Sequence, residues 1–209
     1  KQLIQQNKTG KILSVAIQCY WNRNEKYYRA SDWKGIKLLD GGTLFTQFSH
    51  FIDVMYYLAG DMEILHAQLA NVNHQGMIEF EDTGVVSFLL KESHAPGVLH
   101  YTTSAYRQNM EGSITLFAER ATIKIGGKYL NTIDYQATDG FDITDLPESG
   151  PANDYGAYEG SMSNHDKVID NVINSLQGRG EIMTNAYDGL KTVEIIENIY
   201  SMAASHGRN

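Results

Sequence analysis

Five runs rich in alternating, β-branched and aromatic residues follow one another along the middle of the chain: Ile64 to Val72, Thr83 to Lys91, Gly97 to Ala105, Gly112 to Ala118 and Ala121 to Ile125. Only short polar or glycine-containing turns separate them. Parallel neighbours need a crossover of about a dozen residues or more, so strands this close in sequence must pair mainly antiparallel. An earlier run, Lys11 to Trp21, adds a strand, and Gly10 before it is a plausible stop for the polar, helix-like segment Lys1 to Asn7. Three stretches carry helical periodicity. Thr43 to Leu58 places Leu44, Phe45, Phe48, Phe51, Ile52, Met55 and Tyr56 on one side and Thr46, His50, Asp53 and Tyr57 on the other. Gly160 to Leu176 carries the stripe Val168, Ile169, Val172, Ile173 and Leu176, and Asp188 to Ala204 carries Leu190, Val193, Ile196, Ile199 and Tyr200. The acidic stretch Asp134 to Tyr155 reads as irregular. A half-polar sheet with so few helices is covered on one face, and its other face stays wet or meets another subunit. Its aromatic and β-branched content, for example Val85, Phe88, Tyr101 and Ile114, favours a subunit.

The chain has 209 residues, enough for one domain that buries about 70% of its unfolded surface. Lys+Arg number 17 against 25 Asp+Glu, a net charge of -8 with no basic cluster, which argues against a phosphate-backbone partner. Cys19 is the single cysteine, so an intrachain disulfide and a Cys-built zinc site are excluded, and a reducing cytoplasm fits. The most apolar stretch, Leu44 to Gly60, is broken by Gln47, His50 and Asp53 and falls short of the roughly 20 apolar residues of a membrane span. The chain opens without Met and without a signal-peptide h-region. It reads as a piece of something longer; a processed or tagged N-terminus is the alternative.

The candidate chemistry sits at Asp40-Gly41-Gly42-Thr43-Leu44-Phe45-Thr46-Gln47-Phe48-Ser49-His50-Phe51-Ile52-Asp53. Two glycines before a helix let the backbone turn tightly and approach a ligand, and the helix presents His50 from its polar side. Imidazole, with an ordinary pKa of about 6.5, can take a proton from a sugar hydroxyl and return it near neutral pH. On residue type alone, a capped or core-edge histidine is the alternative.

This segment resembles the Gly-Gly-x-Leu-x-x-x-x-x-His-x-x-Asp signature of the C-terminal domain of the Gfo/Idh/MocA oxidoreductases. The resemblance implies an α+β fold, with a large mixed, mainly antiparallel sheet and helices on one face. It implies that residues 1–209 form a single substrate-binding and oligomerisation domain, the N-terminal Rossmann domain lying outside this chain. NAD or NADP would be bound mainly by that absent domain, the substrate would be a sugar or nucleotide sugar, and the open sheet face would make a homo-oligomer. By resemblance His50 is the general acid/base, acting with a lysine of the other domain. Many relatives carry Asp or Asn four residues before the histidine, where Thr46 stands here. Threonine can hydrogen-bond a hydroxyl but cannot act as a carboxylate base, so His50 bears more of the proton transfer.

Two further stretches narrow the resemblance. Tyr28-Arg29, Trp33-Lys34-Gly35 and the double glycine are similar to the loop of members of the UDP-N-acetylglucosamine or UDP-glucuronate 3-dehydrogenase type. Arg29 would suit a carboxylate or phosphate and Trp33 the apolar face of a sugar or base; a surface arginine and a core-edge tryptophan are the alternatives. Tyr158-Glu159-Gly160-Ser161-Met162-Ser163-Asn164-His165 resembles the Gly-Ser-x-x-Asn-His element of the same subgroup. Ser161, Asn164 and His165, at a helix start, could hold substrate hydroxyls or phosphate, aided by free N–H groups; alternatively Ser161 or Ser163 only caps the helix. Together with Thr46 and Gln47 these are the candidate substrate contacts.

Ile125-Gly126-Gly127-Lys128-Tyr129 lacks the spacing of a nucleotide-binding loop and is better read as a hairpin turn. No metal spacing links His66, His74, His94, His100 and His206, and Glu79-Glu81-Asp82 reads as a solvated hairpin end. Two rival functions remain. One is a non-catalytic sugar-binding or oligomerisation module, favoured by Thr46 in place of a carboxylate. The other is a glycoside hydrolase in which NAD is transiently reduced.

Overall fold

A computed structural model describes residues 1–144, 146, 152–156, 159–162 and 164–206, with the side chains of 154, 159, 161, 162 and 206 left aside. In chain order the elements are α1 (Gln2–Gln5), β1 (Ile12–Tyr20), α2 (Glu25–Arg29), α3 (Lys37–Asp40), α4 (Thr43–Thr46), α5 (Ser49–Ala59), β2 (Met62–Ala70), β3 (Thr83–Leu90), β4 (Pro96–Thr102), β5 (Glu111–Ala118), β6 (Ala121–Gly126), β7 (Thr132–Thr138), β8 (Ala152–Asp154), β9 (Glu159–Met162), α6 (His165–Leu176) and α7 (Ala186–His206). Seven strands form one sheet in the order β2-β3-β4-β1-β5-β6-β7. β1 lies parallel to β4, and every other neighbouring pair in the sheet is antiparallel. The expected mixed, mainly antiparallel α+β architecture is therefore present.

Strand alternation sends every second side chain to one face. Val15, Ile17 and Cys19 of β1, Val86, Phe88 and Leu90 of β3, Leu99 and Tyr101 of β4, and Ile114 and Leu116 of β5 meet Leu44 of α4, Phe48 at the break, and Phe51, Ile52 and Met55 of α5. Ile195, Ile196 and Ile199 of α7 close the same core, and α7 packs against both β2 and α5. The opposite face stays open. One register row across it reads Ser87, Val98, Ala16, Thr115, Lys124 and Tyr135. Of the four residues expected on the open face, Val85 is there, whereas Phe88, Tyr101 and Ile114 are fully buried beneath the helices. A period of two fixes which residues share a face and not which face the helices choose.

Several local expectations are corrected. The predicted helix Thr43 to Leu58 is two helices, because Gln47 turns its amide into a buried network and Phe48 drops its ring between Trp21 and Tyr101. The stretch read as irregular holds β7, an edge strand with no buried residue and hence no apolar alternation to see. α6 starts at His165, since 159–162 pairs as a strand with 152–154. Its apolar stripe is exposed, and on α7 Leu190 and Val193 are exposed while Ile195 takes the core.

The segment from Asn22 to Asp40 is ordered by one local cap and by a tie to the turn before β3. The Asn24 side chain caps α2 by accepting from the Tyr27 N–H at 3.1 Å. Asp82, buried rather than solvated as expected, accepts the N–H groups of Val72, Asn73 and His74. Burial raises its pKa, but those N–H groups outweigh burial and hold it below the ordinary value. His74 bridges Asp82, 3.0 Å from Nδ1, to the Arg23 carbonyl, 2.7 Å from Nε2. That tie fastens the connection to the turn before β3.

Candidate active site

The site begins at the turn after Asp40. Gly41 and Gly42 have φ of +83 and +131, values that side chains of L-residues rarely adopt. A Cβ on Gly42 would also collide with the Tyr200 hydroxyl. That hydroxyl donates to Glu81 Oε1 at 2.8 Å and accepts the Leu44 N–H at 3.2 Å. Tyr101 donates to the same carboxylate oxygen at 3.1 Å, and the Thr43 hydroxyl donates to the Glu81 carbonyl. Glu81, expected in solvent, is buried, and burial raises its pKa against the lowering by the tyrosine hydroxyls. Strand β4, the turn before β3, the start of α4 and the last helix therefore meet at one carboxylate.

Behind α4 lies a second network. Arg23, buried and stacked on the rings of Trp21 and Tyr27, donates from Nε to Gln47 Oε1 at 2.5 Å. Gln47 Nε2 donates to the Tyr27 hydroxyl at 2.6 Å. With both amide ends engaged and 5% exposure, Gln47 belongs to the frame of the site. Thr46 is half-buried, and its hydroxyl donates to Asp40 Oδ1 at 2.6 Å. Asp40 Oδ2 accepts the Gly35 N–H at 2.8 Å, and only 5% of Asp40 is exposed.

His50 sits in the first turn of α5 and is open to solvent. Enough protein surrounds its ring that desolvation lowers the pKa below 6.5, with the Asp53 carboxylate pulling the other way. Asp53 is fixed by the Thr192 hydroxyl at 2.8 Å. A cleft of about 390 Å³ opens beside the following turns of α5, lined by Asp53, Tyr57, Met183 and Asp188 among others, with His50 outside its lining. A more enclosed apolar cavity of about 220 Å³, lined by Ile4, Ile12, Leu116 and Ile123 among others, contains none of the candidate site residues.

The remaining candidates divide. Trp33 is 40% exposed, and the Lys34 ammonium lies 4.1 Å from the Tyr27 ring centroid and 5.8 Å from that of Trp33. Burial and then Arg23 lower the Lys34 pKa, with Asp40 opposing. Lys34 and Gln47 thus meet at Tyr27, Trp33 flanks Lys34, and Thr46 meets Asp40. Arg29 stands apart, its side chain 75% exposed and paired with Glu25 at 2.7 Å. Asn164 and His165 are exposed at the start of α6, and no hydrogen bond or ion pair links them to the histidine segment among the described residues. The Ser161 side chain, with Tyr158 and Ser163, lies outside the described residues. Sequence reading missed Asp40, Arg23, Glu81 and Tyr200. A charged residue abutting a double glycine was a usable signal for Asp40; the pairing of Glu81 with Tyr200 left no local trace.

Residues 1–208 match the family model described as oxidoreductase family, C-terminal alpha/beta domain. The chain belongs to the Gfo/Idh/MocA oxidoreductase family. Among solved members, the WlbA dehydrogenase from Bordetella pertussis, in complex with NADH and UDP-GlcNAcA, superposes with a TM-score of 0.79 at 32% identity, covering 99% of this chain and 56% of that one. The WlbA dehydrogenase from Chromobacterium violaceum, with the same two ligands, gives 0.79 at 28%, with the same coverage. Levoglucosan dehydrogenase in complex with NADH shares the fold, with a TM-score of 0.74 at 18% identity over 98% of this chain and 60% of its own. No curated protein matches the chain. This Gfo/Idh/MocA chain spans a little over half the length of the WlbA dehydrogenases.

Proposed function

We propose that the chain is the substrate-binding half of a nicotinamide-dependent dehydrogenase acting on a ring hydroxyl of a nucleotide sugar, with His50 as general acid/base. The observation that carries this reading is His50 itself, solvent-open on the helix after the double glycine, with its pKa lowered so that the ring is neutral at pH 7. A neutral imidazole can remove a hydroxyl proton as the carbon beneath it gives up hydride, and can return the proton in the reverse direction. Asp53, tied to Thr192, stands one turn further along α5 and favours the imidazolium that forms.

The dinucleotide does not fit this chain alone. Gly126-Gly127 turns between β6 and β7 rather than between a strand and a helix, and the Gly127 N–H is given to Asp134. A phosphate cradle of the usual kind needs a glycine turn between a strand and a helix, and among the described residues neither Gly126-Gly127, between two strands, nor Gly41-Gly42, between two short helices, is one, which supports a reading in which NAD or NADP is bound by a separate nucleotide-binding half. Bound there, the cofactor supplies the hydride acceptor. Trp33 would stack on the sugar or base, and Thr46 would meet a sugar hydroxyl. Arg29, Ser161, Asn164 and His165 would line the outer, anionic part of the substrate. Gln47 would act by holding Tyr27 in place.

The WlbA dehydrogenases, which bind UDP-GlcNAcA and NADH, support a nucleotide-linked uronic acid as substrate. The open sheet face is read as a homo-oligomer interface. Among the described residues no helix is long and apolar enough to cross a membrane; the cytoplasmic location is proposed from the single cysteine. To test the reading, the intact protein is mixed with NAD or NADP and UDP-GlcNAcA. Stoichiometric NADH or NADPH with a keto-sugar product is expected. Free sugar without net reduced cofactor would instead identify a hydrolase, and failure to bind any nicotinamide cofactor would identify a non-catalytic module.

A further inference from the structure

We propose that Asp40 is a positioning residue that fixes Thr46 as a hydrogen-bond acceptor for the substrate, so that the two side chains work as one unit. The inference rests on the dehydrogenase reading above.

A hydroxyl has one proton and can give it in one direction. Thr46 Oγ1 lies 2.6 Å from Asp40 Oδ1 and 3.3 Å from the Gly42 carbonyl. The shorter contact, to a carboxylate, takes the proton, since charge-assisted hydrogen bonds are about twice as strong as neutral ones. One lone pair of Thr46 takes the Gln47 Nε2 amide at 3.5 Å, and what the hydroxyl keeps for its open side is the other. It therefore offers the substrate an acceptor, suited to a sugar hydroxyl or an acetamido N–H, and is barred from acting as a donor.

The carboxylate is held for that task from both ends. Its other oxygen takes the Gly35 N–H, and Gly35 is bound to the far side of the connection by its carbonyl, which accepts the Glu79 N–H at 2.9 Å. Asp40 itself is 5% exposed, so little water competes for Oδ1. The Lys34 ammonium, over the Tyr27 ring, lies within reach of Asp40, which opposes the lowering of the ammonium's pKa by burial and Arg23. Bracing alone is within reach of a buried carboxylate, as Asp82 shows; Asp40 differs in that one of its oxygens takes a side-chain hydroxyl proton at the site. A buried carboxylate adds a fixed direction to the Thr46 proton.

The test is a double-mutant cycle on the intact protein, with UDP-GlcNAcA as the probe substrate. Thr46→Val and Asp40→Asn should each lower kcat/KM by about tenfold, the scale of one charge-assisted hydrogen bond. Asp40→Asn placed on Thr46→Val should cost nothing more, because the hydroxyl it acts through is gone. Thr46→Ser should restore the rate. Equal losses from Asp40→Asn in both backgrounds would overturn the proposal, since a bracing role is indifferent to the Thr46 hydroxyl. Should Asp40→Asn not fold, Thr46→Asn takes its place. Its amide donates to Asp40 and turns its carbonyl outward, so activity should stay within about threefold of wild type; a loss as large as that of Thr46→Val overturns the idea. His50→Ala in the same series keeps the two readings apart. Activity surviving there rejects the dehydrogenase assignment, whereas loss there with an additive cycle rejects only the role of Asp40.

Discussion

The hydroxyl of Tyr200, on the last helix, fills the space that a Cβ on Gly42 would need. The turn that launches the histidine segment is thereby closed by a residue more than 150 positions away, which also satisfies the Leu44 N–H. Gly42→Ala should therefore push Tyr200 off Glu81 and strain a backbone whose φ is +131. The expected loss of stability is about 2–3 kcal/mol, as for an overpacked site, read as a lower urea midpoint with an unchanged slope. An unshifted midpoint would contradict this account of the turn.

Glu81 makes stability depend on pH. Burial raises its pKa above 4.5 in the fold, while the hydroxyls of Tyr200 and Tyr101 oppose the rise. The folded protein thus holds this proton to higher pH than the unfolded chain does. The stabilisation is complete below about 4.5 and is lost as pH rises through the raised value. Glu81→Gln mimics the protonated side chain. Its melting temperature, compared with wild type across pH 4–8, should move in the variant's favour as pH rises and then level off. A difference that does not change with pH would show that Glu81 ionises alike in both states.

The open sheet face should hold copies of the chain together. Val98 sits on β4 within the solvent-facing row, with Val85 of β3 and Phe117 of β5 also exposed. Val98→Lys puts an ammonium into that surface, where burial against a partner is costly. Light scattering on the intact protein should show an oligomer for wild type and a monomer for the variant, with the fold kept by circular dichroism. An unchanged oligomer would place the interface elsewhere.

The sheet was legible in sequence because β1 to β6 alternate over one buried face, and the histidine helix because its apolar spacings come from the core itself. β7 was not, since an edge strand without a buried residue has no face to display. The break at Gln47 and Phe48 was hidden as well. Both residues satisfy the helical pattern, and only tertiary partners, Arg23 and Tyr27 for one and Trp21 and Tyr101 for the other, show what they do instead. Glu79 is exposed as expected, whereas Glu81 and Asp82 are buried, because local charge density says nothing about the Tyr101 and Tyr200 hydroxyls or the N–H groups of Val72, Asn73 and His74 that meet them. Within the site, the resemblance to the family's Gly-Gly and histidine motif pointed to His50 and Thr46, while the carboxylate that binds Thr46 lies six residues away across the glycine turn.

The central claim is that the His50 imidazole moves the substrate proton, and steady-state kinetics of His50→Ala in the intact protein tests it most directly. With its pKa lowered by desolvation, the ring is neutral, and able to act as base, down to a pH below 6.5. Oxidation by wild type should therefore fall only when pH drops beneath that value. His50→Ala should lose at least about a hundredfold in kcat and lose that acidic limb, with KM little changed. A variant that keeps wild-type kcat, or the same limb, would contradict the account.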